Sequence, residues 1–265
     1  MEEKEESAHR SFDVIGQIAV VSFNRKVKRK EAIEFAKRVI LKNKHIKSVF
    51  MKVGKIEGEE RKAKLRFLYG ENKSITRHVE NGCVFEVDIR KVFFTPRLSS
   101  ERKRVMGQVK EGEDVLDMFC GVGPFSVPIA KVAGSVYAID INADAIRLLR
   151  KNLSLNHIEN VTAMRMDARR APEGIQLKFD RIIMNLPAKA IEFLPYALRM
   201  CKSKCVIHLY SFVYLKGKDD GIKDTEKRIR ESLAGVRVKS IKYFKAGEVA
   251  PHMLRVCFDI TLKKD

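Results

Sequence analysis

Apolar positions follow two different rhythms along this chain, with a change near residue 95. Ahead of it lie SFDVIGQIAVVSF, SVFMKV, AKLRFLYG, SITRHVE and CVFEVDI, short strand-like stretches separated by polar or glycine turns. The glycine inside the first stretch, Gly16, reads as a bend or bulge. One segment among them, KEAIEFAKRVILKN, sets Ile33, Ala36, Val39 and Ile40 on a single helical face. One helix among several short strands predicts a small α+β domain over residues 11–94. The polar first ten residues are expected to form a disordered tail.

Beyond the change the pattern alternates strand and helix. DVLDMF, SVYAID, VTAMRM, FDRIIMNL and CVIHLYSF read as strands. PFSVPIAKVA, ADAIRLLRKNLSLN, KAIEFLPYALRM and residues 219–234 read as helices between or after them. Regular alternation predicts an α/β, Rossmann-like domain over residues 95–265, doubly wound and mainly parallel. Two last strands, 238–245 and 253–262, lack a helix between them and predict a closing antiparallel hairpin.

Candidate chemistry gathers at the predicted strand ends. In DVLDMFCGVGPF the chain turns at Gly121 and Gly123, where a side chain would obstruct a ligand. The next strand ends in Asp140, at the place where an acid accepts hydrogen bonds from ribose hydroxyls. Together they predict a nucleoside-bearing cofactor. The third glycine of the dinucleotide fingerprint is missing, and Asp117 precedes the turn. A pyrophosphate would want a bare helix N-terminus, whereas a carboxylate suits the sulfonium and amino groups of S-adenosylmethionine. The fold class expected is therefore that of the class I S-adenosylmethionine-dependent methyltransferases. Asp167 follows the third strand, placed either to accept from an adenine amino group or to cap a turn. Asn185-Leu186-Pro187 ends the fourth strand, where active sites of open α/β sheets gather. This NLP lacks the second proline and the aromatic residue with which many amino-group methyltransferases hold an exocyclic amine. It points to another base nitrogen or another geometry. In FFTPRLSSERKRV, Arg97 and Glu101 are four apart, on one face if both enter the helix expected from about Ser99.

Charge adds a partner. The 265 residues carry 53 basic and 34 acidic side chains, a net charge of +19. A thermophile's Lys/Glu-rich surface explains many charges but not the imbalance, which favours a nucleic acid. Arg25, Lys26, Lys28, Arg29 and Lys30 crowd the start of the first helix, where cations oppose the helix dipole, so phosphate contact is expected. The five cysteines show no disulfide pattern. Cys201, Cys205 and His208 lack zinc-ribbon spacing and sit in a strand-like run, which makes them core residues. No apolar run approaches the ~18–20 residues that span a bilayer, and MEEKEESAHR does not resemble a signal peptide. A cytoplasmic protein is expected.

Taken together, FFTPRLSSER, VLDMFCGVGPFSVPIAK, YAIDIN, ADAIRLLRKN, DAR and IMNLP resemble the archaeal and eukaryotic tRNA (guanine-N1) methyltransferases that act on guanosine 37. The resemblance runs from about Asp13 to Asp259. It implies methyl transfer from S-adenosylmethionine to N1, with S-adenosylhomocysteine as product, no metal, the tRNA anticodon stem-loop as partner and a monomer. The family's extra N-terminal module is not seen, so this reads as a short form. The resemblance makes Glu101 the base for the N1 proton, Asn185 the holder of the purine edge and Arg61 the stabiliser of charge on O6, with Arg66 a close competitor. It lines the cofactor pocket with Phe93, Arg97, Asp117, Phe119, Gly121, Gly123, Asp140, Ile141, Asp167, Ala168, Asn185 and Pro187. Methylation of a wyosine precursor at the same position is a second activity within the family. The sister wybutosine-pathway enzyme, which transfers an aminocarboxypropyl group, is the alternative. A non-catalytic RNA-binding protein is the outsider.

Overall fold

In the computed structural model, which describes residues 10–23, 27–54, 64–215 and 220–263, the chain divides after Arg97 rather than after Phe94. The physical reason lies in the connecting stretch. Pro96–Leu98 form a 3-10 turn, and the Arg97 guanidinium donates to Asp13 at 2.5 Å, which ties the segment to the first unit. The tail expected over residues 1–10 lies outside the described residues except for Arg10, which opens a strand.

In the first unit, β1 (Arg10–Ile15) and β2 (Ile18–Phe23) are antiparallel, with Ile15 opposite Ile18. Gly16 therefore makes the tight turn of a hairpin, not a bend within one strand. Its φ is +53°, and a Cβ there would lie 2.2 Å from the Arg77 carbonyl oxygen, so only glycine fits. Helix α1 (Arg29–Lys42) carries the chain to β3 (Ser48–Lys52), which is parallel to β2. Ala32, Ala36 and Val39 of α1 are buried against Ala19, Val21 and Val49 of the sheet. β4 (Leu65–Gly70) completes the order β1-β2-β3-β4. A separate hairpin, β5 (Ile75–Glu80) and β6 (Cys83–Asp88), docks by its Thr76 hydroxyl, which accepts from the Gln17 N–H at 2.9 Å.

The second unit opens with α2 (Ser99–Met106), β7 (Asp114–Asp117), α3 (Ser126–Ala130), β8 (Ser135–Asp140), α4 (Ala143–Leu155) and β9 (Val161–Arg165). It continues with α5 (Ala171–Gly174), β10 (Phe179–Met184), α6 (Ala190–Arg199), β11 (Cys201–Tyr214), α7 (Asp220–Ser232), β12 (Val238–Ala250) and β13 (Met253–Lys263). Helix α5 has too few residues to show a helical period, which is why the pattern does not predict it. The seven strands lie in the order β12-β13-β11-β10-β7-β8-β9. All pairs from β9 to β11 are parallel, and β13 joins β11 and β12 antiparallel, as the predicted hairpin requires. The chain runs outward from β7 to β9, then returns to the other side of β7 as β10. That reversal is the topological switch point at whose strand carboxyl ends open α/β sheets bind their ligands.

Alternation along the central strands divides the core in two. Leu116, Ile182, Ile207, Leu209 and Phe258 pack with Leu194, Ile222 and Ile229 of α6 and α7 on one face. Val115, Ile183, Tyr210 and Cys257 pack with Leu98, Val105 and Phe125 on the face that α2 covers. The five cysteines are buried free thiols. Among the described residues no helix is long and apolar enough to cross a membrane.

Candidate functional site

The glycine loop is held to two strands at once. Beyond β7 the Met118 N–H donates to Ile183 and the Cys120 N–H to Ile139, at 3.0 Å each. Gly121 and Gly123 then take φ of +54° and +87°, the left-handed region that favours glycine. At Gly123 a Cβ would also lie 2.4 Å from Leu149 Cδ1, so a larger residue would have to displace the Leu149 side chain of α4 as well as adopt a strained backbone. The buried Asn152 amide donates to the Val122 carbonyl at 3.0 Å and fixes the middle of the loop.

Two carboxylates flank this loop. Asp140, at the end of β8, accepts from the Gly121 N–H at 2.8 Å on one oxygen and from the Asn142 N–H at 2.9 Å on the other. Asn142 then caps α4, with Ile141 between them, its side chain accepting from the Asp144 N–H. Asp117 is only 1% exposed. Its Oδ2 accepts from the Ser126 hydroxyl at 2.7 Å, whereas Oδ1 is buried with no hydrogen-bond partner among the described residues. Burial raises the Asp117 pKa to about 7, against opposing hydrogen bonds from the Ser126 hydroxyl and the Phe119 backbone N–H and with help from the negative charge of Asp140.

The remaining predicted residues of this unit follow the next strand ends. Asp167 caps the 3-10 turn Ala168–Arg170, accepting from the Arg169 N–H at 2.9 Å, and pairs with the Arg169 guanidinium at 2.7 Å. That pairing holds the Asp167 carboxyl below its usual range. The Met166 N–H donates to the Asp140 carbonyl, which joins the end of β9 to the end of β8. Half-buried Asn185 follows β10, and the Leu186 carbonyl accepts from Lys189 and Ala190 as the chain turns into α6. Phe119 meets Phe193 of α6 edge-on, 5.1 Å between ring centroids. Phe93 and Arg97 belong to the first unit, and their assignment rests on the resemblance. Arg66 is exposed on β4. Lys28, Arg29 and Lys30 are exposed at the start of α1, which has no side-chain cap. Arg61, Arg25 and Lys26 lie outside the described residues.

Glu101 does not share a helical face with Arg97. Arg97 precedes α2 and turns to Asp13, so the two never share a helical turn. Glu101, 7% exposed, instead accepts two parallel bonds from Arg104, Nε to Oε2 and Nη2 to Oε1, both 2.8 Å. The Tyr210 hydroxyl donates to Oε1 at 2.8 Å. Arg104 also donates to Asp259, 2.7 Å from Nη1, and stacks on Phe244, 3.8 Å from the ring centroid. Asp259 accepts from Gln108 at 3.0 Å and contacts His208 Nδ1 at 2.6 Å. His208 Nε2 lies 2.7 Å from Arg181, whose Nε donates to Glu113 at 2.8 Å. A guanidinium only donates, so Nε2 of His208 accepts and its ring proton sits on Nδ1, facing Asp259. Burial lowers the His208 pKa and keeps the ring neutral. Burial works against charge on both Asp259 and Arg104, but the hydrogen bonds outweigh it: Asp259 stays well below the usual carboxylate range and Arg104 well above the usual guanidinium one.

Sequence spacing missed this array because its members are brought together by sheet register. His208 stands opposite Asp259 across β11 and β13. The ligand atoms of His208, Cys257 and Asp259 lie within 4.8 Å of one another. Arg181 and Arg104 already bond to that group, and a metal ion would add a third cationic centre to them.

The TRM5/TYW2 methyltransferase domain model matches residues 76–238, more than half of the chain, and a TYW2 N-terminal domain model matches residues 1–73. The chain is 46% identical over 202 residues to "tRNA (guanine(37)-N(1))-methyltransferase Trm5b" of Pyrococcus abyssi, spanning 76% of this chain and 60% of that relative. It is 31% identical over 252 residues to "tRNA 4-demethylwyosine(37)-methyltransferase Taw21" of Saccharolobus solfataricus, covering 94% of this chain and 92% of that one. The crystal structure of the Pyrococcus abyssi Trm5b superposes with a TM-score of 0.86 at 40% identity, over 96% of this chain and 75% of that one.

Proposed function

The chain belongs to the TRM5/TYW2 methyltransferase family, and from that premise we propose that it methylates N1 of guanosine 37 in tRNA with S-adenosylmethionine. The chain spans only 60% of the length of its guanine-37 relative from Pyrococcus abyssi, so activity, substrate and partner are our reading of this chain.

The observation that carries the reading is Asp117. A buried acceptor without a donor costs about 1–3 kcal/mol. A ligand that brings an ammonium group beside a sulfonium suits this place, next to a glycine loop and the fixed carboxylate of Asp140. Asp140 would take the ribose hydroxyls and Asp167 the adenine amino group, while Phe119, Ile141, Ala168 and Pro187 line the pocket. Bound there, S-adenosylmethionine supplies a methyl group already activated by its positive sulfur.

Guanine N1 carries a proton, which must leave as the methyl arrives. Glu101 takes that proton, and it passes on to solvent after the product leaves. Asn185 holds the purine edge. Negative charge develops on O6, which the resemblance assigns to Arg61, with Arg66 the competitor. Lys28, Arg29 and Lys30 meet RNA phosphates, in keeping with the net charge of +19. The same reading makes the protein a cytoplasmic monomer.

A second reading is methylation of a wyosine precursor built on the same guanosine, favoured by the relative of that name which this chain covers over 92% of its length. Aminocarboxypropyl transfer is the alternative, and the two chemistries separate by label. With cofactor labelled on the methyl or on the carboxyl carbon, only the methyl label should reach tRNA. Carboxyl label in the RNA would overturn methyl transfer.

A further inference from the structure

Glu101 reaches its surroundings through a set of groups with no part of their own in the chemistry just described. Five charged residues, Glu101, Arg104, Asp259, Arg181 and Glu113, are linked through neutral His208 between α2 and the sheet. As a way of attaching a helix this is poor, because buried ion pairs are often no more stabilising than apolar residues of the same volume. As a way of fixing one carboxylate it is thorough. Oε1 of Glu101 accepts from Arg104 and Tyr210, and Oε2 accepts from Arg104 alone. Each carboxylate oxygen has two lone pairs. Among the described residues, Oε2 therefore keeps the lone pair that can receive a proton.

Arg104 by itself would both orient Glu101 and neutralise it. Asp259 alters that balance, since the guanidinium faces two carboxylates and its single positive charge is shared between them. Asp259 is itself fixed by Gln108 and by His208. Arg181 and Glu113 hold His208 in the tautomer that donates to Asp259.

We infer that Asp259, braced by His208 and Arg181, is a positioning residue for the proton-accepting carboxylate, acting on Glu101 through Arg104. The inference rests on Glu101 as the base of the proposed methyl transfer. It makes Asp259 essential to the rate of the chemical step without any contact with tRNA or cofactor.

A double-mutant cycle on the full chain tests it, with single-turnover methyl transfer measured at saturating tRNA and S-adenosylmethionine. Asp259→Asn keeps the shape and removes the charge. It should slow the step by about 10- to 100-fold, the scale expected when a reacting group is misplaced by about 1 Å. Both affinities should stay within a few-fold of wild type. Combined with Glu101→Gln, it should add little to the loss from Glu101→Gln alone, because there is no longer a base to position. Additive losses would overturn the inference and make the array a structural brace. A wild-type rate for Glu101→Gln alone would instead overturn the general-base reading itself. Two further arms carry the same cycle if Asp259→Asn does not fold. Tyr210→Phe removes one hydroxyl at nearly constant volume, and Arg104→Lys keeps the charge but loses the parallel bonds. Both should slow the step in the wild-type background and lose that effect in the Glu101→Gln background. Additive behaviour, or no effect in either, would contradict the inference.

Discussion

Asp117, at the end of β7, and Glu101, on α2, are both carboxylates with almost no exposed surface, 1% and 7%, but their hydrogen bonding differs in kind. Asp117 has one oxygen bonded to Ser126 and the other without a partner among the described residues, and its pKa is raised to about 7. Glu101 has three donors, two from a guanidinium that a second carboxylate also holds. The first arrangement leaves one buried oxygen without a donor among the described residues, which under the proposed function a ligand cation completes. The second has both oxygens bonded before any ligand arrives, so under the proposed function the groups behind Glu101 would cost no reorganisation when the proton moves. The roles proposed for them, binding a cation and taking a proton, need opposite preparation, and the two carboxylates differ accordingly.

The largest effect expected on this contrast comes from Glu101→Gln. The variant keeps shape and hydrogen bonding but has almost no proton affinity, so single-turnover methyl transfer should fall by about 10²–10⁴. Affinities for tRNA and cofactor should hold within a few-fold. If the rate recovers at saturating ligands, Glu101 is a structural partner of Arg104 and the contrast collapses.

Next in size is Asp140→Ala. Removing a charged acceptor of ligand hydroxyls costs about 1.5–3 kcal/mol. Calorimetry should show weaker S-adenosylmethionine binding on that scale, and an unchanged affinity in the folded variant would contradict the ribose assignment.

Asp117 sharpens the comparison through pH. Because its pKa is raised to about 7, a cation bound beside it favours the ionised form and displaces the proton. Cofactor affinity should therefore climb with pH, by up to about tenfold per unit below pH 7, and level off above. The ligand-free protein should show the opposite trend in stability. Its folded state holds this proton more tightly than the unfolded chain does, so stability falls as pH rises from about 4 to about 7. Asp117→Asn should flatten both curves. Titrations and melts that keep their wild-type slopes in this variant would remove Asp117 from the cofactor site.

The smallest expected effect lies at the start of α1, where Lys28, Arg29 and Lys30 are exposed. If each meets a phosphate, replacing all three by Ala should lower the log–log salt slope of tRNA binding by roughly 0.7–0.9 per contact. An unaltered slope would assign them to plain surface.

What the sequence shows of all this follows from the range of the interactions. The glycine loop, Asp117 and Asp140 are close in the chain, and local backbone requirements fix them, so motif and strand pattern suffice. Gly16 is less legible, because whether a glycine bends one strand or joins two depends on Arg77 and Thr76, which only the tertiary fold brings near. Arg97 and Glu101 have the spacing of a helical pair, but Pro96 starts a 3-10 turn that takes Arg97 out of α2 and toward Asp13. His208 invited comparison with Cys201 and Cys205 nearby in the chain. Its partners are Asp259 and Arg181 on neighbouring strands, and no local spacing encodes that.

Mass spectrometry of the nucleosides released from tRNA after incubation with purified protein and S-adenosylmethionine tests the central claim most directly. The account predicts 1-methylguanosine, lost together with activity in Glu101→Gln. An aminocarboxypropyl-modified nucleoside, or unmodified guanosine at position 37 after reaction with active cofactor, would contradict it.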